Sequence, residues 1–118
     1  MVQIVGLRDT HGLIQLCLTR EPKGFPDCKG PANLHGSIRA SSVPLRYEFH
    51  SVPPGTYAVA TFHDANSDGK LNTTFGIPTE GFAFSRNPPM KMRAPHFDEA
   101  SFQSNGPPLA PLRMKYLL

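Results

Sequence analysis

Leu45-Arg46-Tyr47-Glu48-Phe49-His50, then Val52-Pro53-Pro54-Gly55, then Tyr57-Ala58-Val59-Ala60-Thr61-Phe62: this stretch decides the fold class. In the first run apolar Leu45, Tyr47 and Phe49 alternate with polar Arg46, Glu48 and His50. That is the period of a strand with one face buried and one wet. The last run is apolar on both faces, because Tyr57, Val59 and Thr61 oppose Ala58, Ala60 and Phe62. Such a strand suits the centre of a sheet covered on both sides. Between the runs, proline presets φ and glycine supplies the positive φ that a tight turn needs. The pattern predicts an antiparallel hairpin built from Tyr47-x-Phe49 and the strand over 57–62.

The same period recurs outward from this stretch. Val2-Gln3-Ile4-Val5 reads as an opening strand. Ile14, Leu16 and Leu18 share one face against Gln15, Cys17 and Thr19, and Leu34, Gly36, Ile38 and Ala40 alternate with His35, Ser37 and Arg39. Near the end Leu112, Met114 and Tyr116 alternate with Pro111, Arg113 and Lys115. No long stretch has helical periodicity; Phe97-Asp98-Glu99-Ala100-Ser101-Phe102 fits one helical turn or a short strand, and the strand is preferred because Phe97 and Phe102 flank small residues after Pro95. The expected core is Ile4, Ile14, Leu16, Ile38, Tyr47, Phe49, Tyr57, Val59, Leu112, Met114 and Tyr116. The 73–96 connection carries Phe75, Ile77, Phe82 and Phe84, whose apolar surface is costly to leave in water, so it is expected to fold back on the sheets.

The chain has 118 residues, 13 prolines and 10 glycines, with 39% apolar residues. Proline-rich connections between short apolar runs predict one all-β domain over 1–118. Net charge is +3, but the lysines and arginines are scattered singly, which argues against nucleic acid as a partner. No apolar run approaches the ~20 residues of a transmembrane segment. Cys17 and Cys28 have two readings: a disulfide closing a short loop, or two thiols. Their spacing is neither a redox Cys-x-x-Cys nor a zinc pattern.

One run points to chemistry: His63-Asp64-Ala65-Asn66-Ser67-Asp68-Gly69-Lys70-Leu71-Asn72. Asp64, Asn66 and Asp68 fit the first, third and fifth positions of a calcium loop, with Gly69 at the sharp turn. The Lys70 carbonyl and Asn72 fit the seventh and ninth positions. The twelfth position, a bidentate glutamate in an EF-hand, is Phe75 here, so Glu80 is the acid left to reach back. A metal-free turn fits the same residues. Asp and Asn cap their own backbone in Asx-turns, and Glu80 would then accept hydrogen bonds from loop amides. Both readings stand at this point.

Other candidates have structural readings. His63 beside Asp64 reads as a strand-end residue bonded to a nearby loop, since no nucleophile pairs with it in sequence. His35, His50 and His96 show no zinc spacing, and His11 falls in an exposed turn at Asp9-Thr10-His11-Gly12. Ser85 lacks a Gly-x-Ser-x-Gly setting and reads as a loop hydrogen-bonder. Phe75, Phe82, Phe84, Phe97 and Phe102 read as a small core under the long loop rather than an aromatic platform for a ligand.

Several motifs follow one another in order. They are Val52-Pro53-Pro54-Gly55-Thr56-Tyr57-Ala58-Val59, the 63–72 run, Gly76-Ile77-Pro78-x-Glu80-Gly81-Phe82-x-Phe84-Ser85, and Ala94-Pro95-x-Phe97-Asp98-Glu99-Ala100-x-Phe102. Together they resemble the bacterial domain of unknown function 2141 family. The resemblance implies a single antiparallel β-sandwich of about seven strands, Greek-key and transthyretin/prealbumin-like or collagen-adhesin B-type. It implies a small periplasmic or secreted protein whose leader peptide is absent from this chain, a setting that favours a Cys17–Cys28 disulfide. The expected function is a non-enzymatic exported binding or structural module. Its partner would be a protein, an envelope component or a sugar, and calcium would sit on Asp64, Asn66, Asp68, Lys70, Asn72 and Glu80. The alternative is a small-molecule hydrolase on a transthyretin-like scaffold. It would need two or more of His35, His50, His63 and His96 to converge with Arg39 or Arg46. The C-terminal Tyr-Arg-Gly-Ser signature of those hydrolases is absent, the chain ending Lys115-Tyr116-Leu117-Leu118.

Overall fold

The computed structural model describes residues 1–25, 33–41, 45–67, 73–74, 77–78, 80–89 and 95–116. The element order is β1 (Val2–Val5), β2 (Leu13–Thr19), a 3-10 turn (Pro22–Gly24), β3 (Leu34–Arg39), β4 (Leu45–Tyr47) and β5 (Thr56–Asp64). After these come β6 (Thr73–Thr74), β7 (Ile77–Pro78), β8 (Phe82–Phe84), a one-turn helix α1 (Phe97–Ala100), β9 (Phe102–Gln103) and β10 (Leu112–Arg113). The described residues are all-β apart from these short helical turns.

Two sheets carry the fold. One has the order β3-β2-β5-β8, with β9 pairing the first residues of β5; the other has the order β10-β1-β4. Among the described residues β6 and β7 pair with each other as a two-stranded sheet. In β5 the side chains of Tyr57, Val59, Thr61 and His63 share the inner face, and Ala58, Ala60, Phe62 and Asp64 share the outer one. The inner face packs on the other sheet through one hydrophobic cluster. Ile14, Leu16, Leu18, Tyr57, Val59 and Ala83 supply one side of it, and Val2, Ile4, Leu45, Leu112 and Met114 the other. Two-residue bonding between Phe82 and Lys115 joins the edge at β8 to the chain just past β10.

The predicted core is mostly found at its expected positions. Ile4, Ile14, Leu16, Tyr57, Val59, Leu112 and Met114 are buried, while Ile38, Tyr47, Phe49 and Tyr116 are half-buried against them. The expected hairpin does not form. β4 pairs antiparallel with β1, Val2 opposite Tyr47, and so lies in the other sheet from β5. Ser51 at φ 58 and the donor-less Pro53-Pro54 turn the chain between sheets instead of folding it back in one. Tyr47 and Phe49 stack edge-on 4.8 Å apart at this crossing. β5 itself runs two residues further than expected and takes in His63 and Asp64.

Two other expectations are corrected. The 97–102 run is not one strand. It opens as α1, because the Glu99 carboxylate accepts the His96 N–H at 2.8 Å in a capping box, and only then becomes β9. The sheets are not wholly antiparallel either, since β1 and β10 run parallel with Ile4 opposite Leu112. The long connection before β10 allows that direction, which a hairpin would forbid.

Candidate functional site

The end of β5 places His63 and Asp64 on opposite faces of one strand. Asp64 faces outward and is fully buried; its Oδ2 accepts the Gln15 amide N–H at 3.1 Å. Its carbonyl accepts the Ser67 N–H at 3.1 Å, closing a tight turn in which Ser67 adopts φ 57. The other candidate acid arrives from across the corner. Glu80 is 7% exposed, and its Oε2 accepts the Ala65 N–H at 2.9 Å. The structure therefore brings Asp64 and Glu80 to consecutive backbone positions of one turn. Asn66 is exposed on that turn. Asp68, Lys70 and Asn72 lie outside the described residues. Among the described residues, no three His, Cys, Asp or Glu side chains group as a metal site.

His63 faces inward, 1% exposed, and both of its nitrogens are engaged. Nε2 lies 2.7 Å from the His11 carbonyl, which accepts only, so Nε2 carries the hydrogen. With the hydrogen on Nε2, Nδ1 is placed to accept from the Tyr116 hydroxyl at 2.9 Å. That hydroxyl in turn accepts the Arg8 N–H at 3.0 Å. The Asp9 carboxylate is 3.6 Å from His63 Nε2 and also accepts the His11 N–H at 3.0 Å. The Arg8 guanidinium sits 4.4 Å from the centroid of the Tyr116 ring. Burial pushes the Tyr116 hydroxyl above its usual pKa; the Arg8 N–H opposes this, the Asp9 charge adds to it and the Arg8 charge opposes it.

Two glycines make this corner possible. Gly12 has φ +72, and a Cβ there would strike the Asp64 and Ala65 carbonyls. A Cβ on Gly81 would strike the Tyr116 ring. The Gly81 carbonyl accepts the His63 N–H at 2.8 Å, tying the residue after Glu80 to the residue before Asp64.

The remaining candidates are dispersed. His35, His50 and His96 are exposed, as are Arg39 and Arg46. His35 and Arg39 pair with Cys17 and Leu13 on the outer side of the sheet, the face opposite His63. Ser85 is fully buried: its Oγ accepts the Val59 N–H at 2.9 Å and donates to the Ala100 carbonyl. It therefore holds α1 against β5. Phe84 meets Phe25 edge-on at 5.7 Å, Phe25 meets Phe97 at 6.1 Å, and Phe82 lies 5.8 Å from Phe84. Phe25 is an addition to the expected group, and Phe75 lies outside the described residues. Cys17 is buried and is not a free thiol; Cys28 lies outside the described residues.

With this geometry in place the chain can be compared with known proteins. A family model described as "Uncharacterized protein conserved in bacteria (DUF2141)" matches residues 2–109. The chain belongs to this family. No curated protein and no solved structure matches it. The DUF2141 match takes in both carboxylates and His63, whereas β10 and Tyr116 follow it. Tyr116 is the residue that sequence reasoning placed in the core without seeing its contact. Its alternation with Leu112 and Met114 signals an inward side chain, but nothing in the spacing pairs it with His63.

Proposed function

We propose that this DUF2141 chain is an exported, non-enzymatic binding or structural module. In this reading it is a single β-sandwich of about seven strands with Greek-key connections, transthyretin-like in plan. Calcium stabilises its 64–80 segment, and Cys17 and Cys28 form a disulfide. The Phe82–Lys115 bridge supports the sandwich, since it continues β3-β2-β5-β8 into β10-β1-β4 around one core. The absence of a free thiol at Cys17 favours the disulfide and an oxidising compartment. A protein, an envelope component or a sugar would dock on the loop edge that the two acids organise.

The observation that carries the calcium reading is the withdrawal of two acids beneath one turn. Asp64 is fully buried and Glu80 nearly so, next to each other at Ala65. Burying a carboxylate is costly unless hydrogen bonds or a cation offset it. The Gln15 amide and the Ala65 N–H supply hydrogen bonds, the second being the loop-amide bond that a metal-free turn also makes, and in this reading calcium adds the opposite charge. The non-enzymatic reading is favoured by how the polar side chains are used. Both His63 nitrogens and the Ser85 hydroxyl are spent on structural hydrogen bonds.

Isothermal calorimetry on chelator-dialysed protein tests the metal directly. Calcium is expected to bind with a Kd of ~10⁻⁴–10⁻³ M, the range of extracellular modules, and Asp64→Asn to abolish the heat. No heat at millimolar calcium would contradict the reading.

A further inference from the structure

We propose that the open edge of β3 is a docking site for an extended segment of another protein, one that alternates acidic with apolar residues. β3 stands at the end of the β3-β2-β5-β8 order, so one of its sides faces β2 and the other is an edge. The Ala40 N–H bonds the Gly12 carbonyl at 3.0 Å, one step beyond the pairing of Leu13 with Arg39. Bonded and non-bonded pairs alternate along an antiparallel ladder, so Ile38, Gly36 and Leu34 are the residues bonded to Ile14, Leu16 and Leu18. The N–H and C=O groups of His35, Ser37 and Arg39 therefore point away from β2. Among the described residues nothing pairs with them. Edge strands are commonly blunted by proline, a bulge or an inward-pointing charge. β3 has no proline, pairs with β2 in unbroken register, and turns Leu34, Gly36 and Ile38 inward.

The side chains flanking the edge select its occupant. On the inner face Leu34 is 38% exposed, next to half-buried Ile38. An added strand would lay every second side chain beside these two, and apolar ones would cover Leu34. On the outer face His35, Ser37 and Arg39 are exposed, beside Cys17, Gln15 and Leu13 of β2. Among the described residues no carboxylate pairs with His35 or Arg39. Asp64 shares the row of Arg39 but lies beyond Leu13 and is bonded to Gln15. Carboxylates at the intervening positions of an added strand would meet the Arg39 guanidinium and the His35 ring across the new ladder. Charge also disfavours a second copy of this chain. β3 carries no acid, so pairing with its own copy would set Arg39 and His35 against one another or against Ser37 and neutralise nothing. In such a complex the backbone bonds supply affinity and the alternate side chains supply specificity. The proposal does not depend on calcium.

Amide hydrogen exchange of the whole chain tests this with two end-blocked heptapeptides, one alternating glutamate with valine and the other lysine with valine. In the free protein the Ser37 and Arg39 amides are expected to exchange fast, and those of Gly36 and Ile38 slowly. The glutamate peptide at saturation is expected to slow Ser37 and Arg39 by about tenfold or more, and the lysine peptide to leave them unchanged. Arg39→Glu is expected to weaken the glutamate peptide about fivefold and to admit the lysine peptide. Ser37→Pro removes an outward N–H without cutting a bond to β2, a change that edge strands tolerate. It is expected to abolish peptide binding while the Ala60 amide in β5 stays protected. No slowing of Ser37 and Arg39 by the glutamate peptide, or equal slowing by both peptides, would overturn the proposal. Slowing that rises with protein concentration in the absence of peptide would give the edge to a second copy and overturn it too.

Discussion

The Tyr116 hydroxyl stands 2.9 Å from Nδ1 of His63, a contact between residues 53 apart in the chain. It joins the end of the central strand to the last described residue. Tyr116→Phe leaves Nδ1 without its donor and the Arg8 N–H without its acceptor, while the ring keeps its place over Gly81. An orphaned buried polar group costs about 1–3 kcal/mol. Urea unfolding is expected to show an unfolding free energy lowered by that amount, as a lower midpoint with an unchanged slope.

The same tyrosine sets an alkaline limit. Its folded pKa lies above the ordinary 10.0, with burial the main cause. Between the unfolded and folded values the native state holds more protons than the unfolded one, so stability falls as pH rises. The contribution is fully present below pH ~10 and is lost as pH climbs through the raised value. Denaturation series at several alkaline pH values are expected to show this decline in the wild type and a shallower one in Tyr116→Phe.

Gly12→Ala is expected to be among the most damaging single-methyl changes in the chain. The position has φ +72, and the added carbon would meet two backbone carbonyls that cannot swing away. The cost is expected to exceed about 2 kcal/mol. At Gly55 the nearest atom to a new Cβ is 3.4 Å away in the Tyr57 ring, an ordinary contact. Gly55→Ala is expected to cost under about 1 kcal/mol, so thermal melts of the two variants separate strain from loss of glycine alone.

Ser85→Ala removes the acceptor of the Val59 N–H and the donor to the Ala100 carbonyl, both buried. A loss of about 2–3 kcal/mol is expected, with faster exchange at Val59 than elsewhere in β5. Equal exchange along the strand would mean that Ser85 does not locally pin α1 to it.

Strand positions were legible in the sequence because side-chain alternation is local. Ile14, Leu16, Tyr57 and Val59 could be assigned to the core from period alone. Pairing was less legible. Val52-Pro53-Pro54-Gly55 looks the same whether the chain returns within a sheet or crosses to another, so alternation alone does not show that β4 and β5 lie in different sheets. The 97–102 helix turn rests on one side-chain bond, Glu99 to the His96 N–H, which competes with the strand-like spacing of Phe97 and Phe102. At the corner, Asp64 and Glu80 were readable as a unit from residue type and order. The contacts of Tyr116, Gly12 and Gly81 at that corner were not, because they join distant positions with no shared motif.

The most direct test of the account is the melting temperature of the protein in calcium and in chelator, alongside Asp64→Asn and Glu80→Gln. At calcium about tenfold above Kd, binding adds about 1.4 kcal/mol, enough to raise Tm by about 5 °C in a domain of this size. The account predicts that shift in the wild type, its reversal by chelation, and its loss in both variants. Identical melting in millimolar calcium and in chelator would contradict it, leaving the two buried acids as the supports of a metal-free turn.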